Sequence, residues 1–235
     1  MPQFIITPKN IKNNQIFLTK KDEDFHHIFN VLRKKIDDEL NFLSTDNLQY
    51  LAKVETINKN DATLKVLKQQ ATKKTDYFVL FQCLPKNKKM DFIIEKAVEL
   101  GVDKIVPVYS QNVMVKDVEN KTERWQEIAI AAVKQSGNPT ITQISEPQKF
   151  GEIIKNFDPE ALNLIGYEHS ENDLKITKKQ KVNLIIGAEG GFDEKEIATA
   201  TKLGWQDFRL KGNILRAETA PIVLISIIKN QLGLL

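Results

Sequence analysis

A chain of 235 residues, 41% hydrophobic and 28% charged, is long enough for one large or two modest domains with an ordinary folded core. Its formal charge of +3 allows a polyanionic partner without demanding one, and its single cysteine, Cys83, excludes an internal disulfide. The most apolar run, residues 221–228, is far short of the roughly 20 residues of a membrane span, and the N-terminus lacks a signal peptide's basic start and apolar stretch, so a soluble cytoplasmic protein is expected.

In chain order, residues 1–70 read as short strands rich in β-branched and aromatic residues: 4–6, 15–18, 39–43, 48–57 and 62–67. The polar stretches 44–47 and 58–61 are turn formers between them. Five strands in so short a span predict a small barrel or sandwich, interrupted by a helix over 24–35. Residues 69–76 are polar and without periodicity, which sets a domain boundary there, dividing the chain into 1–72 and 73–235. Beyond it strands at 77–84, 104–109, 161–167, 182–187 and 206–210 alternate with helices at 90–101, 122–137, 192–204 and about 219–232. That alternation predicts a mostly parallel sheet with helices on both faces. Gly101, Gly137 and Gly204 are helix stops; Asp193 with Glu196 makes a capping box, and Phe192 with Ile197 a hydrophobic staple. The last helix is apolar on most sides and needs cover from the core or from another subunit.

Two stretches stand out for chemistry. In LIIGAEGGFDEKEI (184–197) a buried strand stops at Gly187, and a carboxylate and two more glycines precede a helix. It is neither a P-loop nor a dinucleotide fingerprint, but it lies at the carboxyl end of a strand, where open α/β sheets hold ligands. In RLKGNILRAETAP (209–221) a strand again meets a glycine, a loop and a helix, with Arg216 and Glu218 at the helix start and Thr219 as its expected cap. Side by side, two such loops offer backbone groups to a nucleoside-like ligand. Basic knots at Arg33-Lys34-Lys35, Lys73-Lys74, Lys86 with Lys88-Lys89, and Lys178-Lys179-Lys181 are solvated faces or phosphate contacts. His26, His27 and His169 have no partners at metal-ligand spacing, so no metal is expected.

LIIGAEGGFDEKEI and LKGNILRAETA together resemble the ribosomal RNA small-subunit methyltransferase E family, whose motifs there read I-G-P-E-G-G-F and L-G-x-R-I-L-R-T-E-T-A. HHIFNVLR (26–33), KNKKMDFIIEKAVELGVDKIVP (86–107) and RWQEIAIAAVKQSG (124–137) resemble further segments of that family, in order and at its spacing. The resemblance implies an N-terminal PUA-like β-barrel for RNA, a C-terminal SPOUT α/β domain with a trefoil knot, a homodimer, and S-adenosylmethionine as methyl donor to N3 of a uridine in 16S rRNA of the small ribosomal subunit. It assigns cofactor binding to Ile186, Gly187, Glu189, Gly190 and Gly191 in the first loop. In the second it assigns Leu210, Lys211, Gly212, Ile214, Leu215, Ala217, Thr219 and Ala220. Arg216, Glu218 and Glu189 are the catalytic candidates: the arginine for the anionic base, a carboxylate for the N3 proton. Arg33, Lys34, Lys86, Lys88, Lys89 and Arg124 are the RNA-binding candidates.

The chain departs from the family pattern at Ala188, Lys211, Asn213, Ala217, Asn112, Lys134 and Asn138, several of which replace arginines. Those losses motivate an alternative, a catalytically weak or inactive RNA-binding protein of ribosome assembly on the same fold. A methyltransferase of the same superfamily acting on tRNA or on ribose is a third.

Overall fold

The computed structural model describes residues 3–72, 76–115, 118, 121–177 and 181–235. Lys73, Lys74, Lys178 and Lys179 of the basic knots, and part of the predicted boundary segment 69–76, lie outside the described residues. The chain divides into two compact units, Met1–Lys73 with Val133–Ile141, and Lys74–Ala132 with Thr142–Leu235.

In the first unit the strands are β1 (Gln3–Ile6), β2 (Ile11–Lys12), β3 (Gln15–Thr19), β4 (Glu39–Ser44), β5 (Leu48–Ile57) and β6 (Asp61–Ala71). They form one sheet in the order β1-β4-β5-β6-β3-β2, antiparallel except for the β1–β4 pair. Alternate side chains of these strands are buried, as a period of two dictates. Phe4, Ile16, Leu18, Phe42, Val54 and Leu64 meet in one core, onto which Phe25 and Ile28 also pack. The sheet therefore curls around its own apolar face.

The helix predicted over 24–35 is shorter. Helix α1 (Glu23–His26) passes into a π-helical turn at His27–Val31 and ends. Arg33 takes the left-handed conformation (φ 53°), and the N–H of Lys34 donates to the carbonyl of Ile28, a closure usually made with glycine. No glycine marks this stop, so the sequence carried no warning of it. Strand β6 runs four residues past its predicted end because its polar tail, Lys68–Ala71, pairs with β5 from Leu48 to Leu51.

In the second unit β7 (Tyr77–Cys83), β8 (Lys104–Tyr109), β9 (Gln143–Ile144), β10 (Gln148–Lys149), β11 (Leu162–Gly166), β12 (Lys181–Ile186) and β13 (Gln206–Phe208) form a seven-stranded parallel sheet. Its order is β10-β8-β7-β12-β11-β13, with β9 on β8. The central strands read as near-continuous apolar runs, as burial on both faces requires. Helices α2 (Lys89–Glu99), α3 (Lys121–Ser136), α4 (Phe150–Ile153), α5 (Glu194–Lys202) and α6 (Thr219–Gln231) complete the chain. The stops at Gly101, Gly137 and Gly204 all have left-handed backbone, with φ of 74°, 71° and 105°. Helices α2 and α6 pack together, and the buried ammonium of Lys229 donates to the carbonyls of Leu100 and Gly101, where α2 ends. A cation there offsets the helix's negative end. Cys83 is fully buried, which pushes its thiol up to about 12, against a smaller opposing pull from Ser110.

Candidate active site

Strand β12 delivers the first glycine loop. The apolar run ends at Ile186, the chain turns, and α5 starts with the predicted capping box. Asp193 accepts from the N–H of Lys195 at 2.8 Å, and Glu196 accepts from the N–H of Asp193 at 3.0 Å. Phe192 and Ile197 are both buried, as a staple demands. Gly191 has φ of 62°, and a Cβ there would collide with the carboxylate of Glu168.

Strand β13 delivers the second loop. Thr219 is not the cap of α6, as expected, but its first residue; Glu218 precedes it and makes no side-chain cap. The turn is closed instead by the carbonyl of Arg216, which accepts from the N–H groups of Thr219 and Ala220.

The two loops share a cavity of about 780 Å³ at the carboxyl edge of the sheet. Ile186, Gly187, Glu189 and Gly191 line it from the first loop. Leu210, Lys211, Gly212, Ile214, Leu215, Arg216 and Ala217 line it from the second, with Ala220 from the start of α6. Gly190 and Thr219 do not. Gly190 faces away, against Asn112, whose side-chain amide donates to the Gly190 carbonyl at 3.0 Å. The sequence missed Lys89 as a cavity residue, and missed Gly166, Tyr167 and Glu168 from the end of β11. Their one available signal was that β11 is an apolar strand ending in glycine, much as β12 runs directly into Gly187.

Lys89, expected to meet RNA, sits between two catalytic candidates. Its ammonium lies 2.9 Å from Glu189 and 3.0 Å from Glu218. The second contact is not aligned as a hydrogen bond, so Glu218 Oε2 is buried without a donor aimed at it. The Glu218 carboxyl is held below its ordinary range by the Lys89 ammonium, against the effect of burial. For Glu189 burial pushes upward, but Lys89 and backbone N–H groups, including that of Lys86, bring the net shift down. Lys89 is raised in turn, first by Glu189 and then by Glu218. Two carboxylates held ionised this way are weak bases. The Arg216 side chain is exposed at the cavity and makes no hydrogen bond or close ion pair among the described residues, its charge acting only at longer range to help hold Glu218 low.

Arg33, Lys86 and Lys88 are exposed, and Lys34 is half-buried near Asp38. Arg124 turns a two-pronged contact onto Asp91, to which the Trp125 indole N–H also donates. That places it in a structural pair with only its outer N–H groups free to meet RNA. The departures from the family pattern have local partners too. Lys134 binds Asp24 at 2.9 Å, Lys211 binds Asp173 at 3.0 Å, and Asn138 accepts from the N–H and hydroxyl of Thr140. Asn213 and Ala188 line the cavity. His27 packs its ring near Phe4. Among the described residues no group of three or more His, Cys, Asp or Glu is placed to hold a metal, and no helix is long and apolar enough to cross a membrane.

Comparison with known proteins gives the same answer along the whole chain. An RNA methyltransferase domain matches residues 72–229 and an RNA methyltransferase PUA domain matches 21–67. The ribosomal RNA small subunit methyltransferase E of Mesomycoplasma hyopneumoniae is 34% identical over 223 residues, covering 90% of this chain and 97% of its own. The protein of the same name from Buchnera aphidicola subsp. Acyrthosiphon pisum is 32% identical, covering 94% and 90%. A crystal structure of the Neisseria gonorrhoeae namesake, bound to S-adenosyl methionine, is 28% identical, covers 98% of both chains and has a TM-score of 0.84. With an N-terminal PUA domain, an α/β domain of matching fold and relatives above 30% identity over nearly its full length, the chain belongs to the ribosomal RNA small subunit methyltransferase E family.

Proposed function

We propose that this protein transfers a methyl group from S-adenosylmethionine to N3 of a uridine in 16S rRNA. The observation that carries the reading is the cavity shared by both glycine loops at the carboxyl edge of a parallel sheet. Its volume suits a nucleoside with an amino-acid arm. At Gly212, φ is 121° and no atom lies within 4 Å of where a Cβ would stand, so the backbone itself faces the space a ligand would fill. The residues present therefore fit the cofactor. When bound, it supplies an electrophilic methyl on a sulfonium.

The chain's own residues do the rest. Peptide groups of 186–189, 191 and 210–217 hold the nucleoside, and Ile186, Leu215 and Ala217 give it an apolar bed. Uracil N3 is a poor nucleophile until it loses its proton, which passes to solvent water at the exposed side of the cavity. The unpaired guanidinium of Arg216 stabilises the resulting anion. Glu189 and Glu218 are spent on Lys89, so they hold Lys89 and the loop entrances in place rather than accept the proton.

Residues 1–72 act as the RNA-binding domain and 73–235 as the methyltransferase domain, with Arg33, Lys34, Lys86 and Lys88 as phosphate contacts. A trefoil knot at the C-terminal loops is part of this reading, supported by the family membership. So is a homodimer, supported by the half-buried apolar row Ile222, Val223 and Ile227 on α6. A cytoplasmic location belongs to the same reading, supported by the ribosomal RNA substrate. The binding-only alternative is not favoured: the relatives carry the enzyme's name, and Lys134, Asn138, Lys211 and Asn112 have the local contacts described above.

Labelled methyl transfer to small ribosomal subunits tests the reading. Arg216→Ala should lower kcat by about 10²–10³-fold, the loss typical of an anion-stabilising donor, while cofactor affinity stays near wild type. Equal turnover in the variant, or no transfer by the wild type to any uridine, counts against it.

A further inference from the structure

Glu168 lies two residues beyond the end of β11, half-buried in the cavity wall. Among the described residues nothing donates to its carboxylate and no cation pairs with it. The cavity's other carboxylate, Glu189, is neutralised by Lys89. The carboxylate oxygens of Glu168 lie over Gly191, in the space that a Cβ at 191 would need. A carboxylate taken partly out of water without a partner is costly, and such a group is kept where a ligand brings the donors.

Three kinds of donor are available on a sulfonium nucleoside: the cationic groups, the adenine amino group and the ribose diol. Lys89, Arg209, Lys211 and Arg216 share the wall with Glu168, so the local charge does not select a cation. The strand order selects the diol. β11 is the neighbour of β12, in parallel register with Gly166 opposite Ile186. Glu168 thus stands at the carboxyl end of the strand beside the glycine turn. In dinucleotide-binding sheets an acidic side chain one strand over from the glycine turn takes a ribose hydroxyl, and Glu168 stands in the analogous place. The diol offers two O–H donors to two carboxylate oxygens.

We propose that Glu168 recognises the ribose of the bound nucleoside, accepting hydrogen bonds from its vicinal hydroxyls. The assignment rests on the cavity being the cofactor site. Glu168 acts in binding and takes no part in moving the N3 proton.

The test is calorimetric titration of the full chain and of Glu168→Gln with three ligands. They are S-adenosylmethionine, its demethylated product S-adenosylhomocysteine, and 5′-methylthioadenosine, which keeps the ribose but carries neither the sulfonium nor the amino-acid charges. Glu168→Gln should weaken all three by a similar factor, about tenfold. The wild type should prefer 5′-methylthioadenosine to its 2′-deoxy analogue, and the variant should lose that preference. The ligand-free variant should melt no lower than wild type, because an unpaired carboxylate has been removed. A loss confined to S-adenosylmethionine would assign Glu168 to the cation and overturn the proposal. So would unchanged binding of all three, or unchanged binding with methyl transfer abolished. A wild type that binds none of the ligands would overturn the cofactor reading itself.

Discussion

Lys89 decides how the cavity entrance is charged. Its ammonium separates Glu189 and Glu218, which would otherwise face each other unneutralised. Both carboxyls are held below their ordinary value of 4.5, so the stability they contribute is present above that pH and is lost as pH falls through their folded-state values. Lys89 is raised above 10.5, so its contribution is present below that pH and lost as pH climbs through the raised value. Lys89→Met should therefore melt lower than wild type across the neutral range, and the difference should shrink below pH 4.5. Paired melting curves at pH 7 and pH 3.5 check this; a constant difference would mean that Lys89 stabilises through packing alone. Gly191→Ala is a second test at this scale. It puts a Cβ into the Glu168 carboxylate and forces alanine into left-handed backbone, at a cost of about 1–3 kcal/mol, and should displace Glu168 from the cavity. Cofactor affinity measured by titration should fall together with thermal stability.

At the scale of elements, most of the chain was legible because its signals are local. The capping box at Asp193, the staple of Phe192 with Ile197, and the glycine stops are each written within five residues of where they act. Asp193→Ala should cost about 1 kcal/mol, a fall of a few degrees in melting temperature, because the first turn of α5 loses its side-chain acceptor. What was not legible depends on distant partners. The stop of the first helix at Arg33 has no glycine to announce it. Strands β9 and β10 are two residues each and exist only because β8 offers them an edge. Thr219 has the right chemistry for a cap, but the Arg216 carbonyl closes that turn and makes Thr219 helical.

For the whole molecule, the two glycine loops were visible as sequence, and their sharing of one cavity is a property of strand order. Strands β12 and β13 are separated in the sheet by β11, which is why Glu168 enters the site from a third stretch of chain that carries no motif. Arg124 and Lys89 show the same limit from the other side. Their positive charge suggested RNA, but Asp91 and the pair Glu189 and Glu218 take it up within the fold. Arg216 is the cavity arginine on which the proposed chemistry depends. The decisive measurement is mass-spectrometric mapping of the modified nucleoside after purified small subunits are incubated with the protein and methyl-labelled S-adenosylmethionine. One labelled 3-methyluridine in 16S rRNA, absent with Arg216→Ala, is the predicted result; label on a ribose, on another base, or nowhere would contradict it.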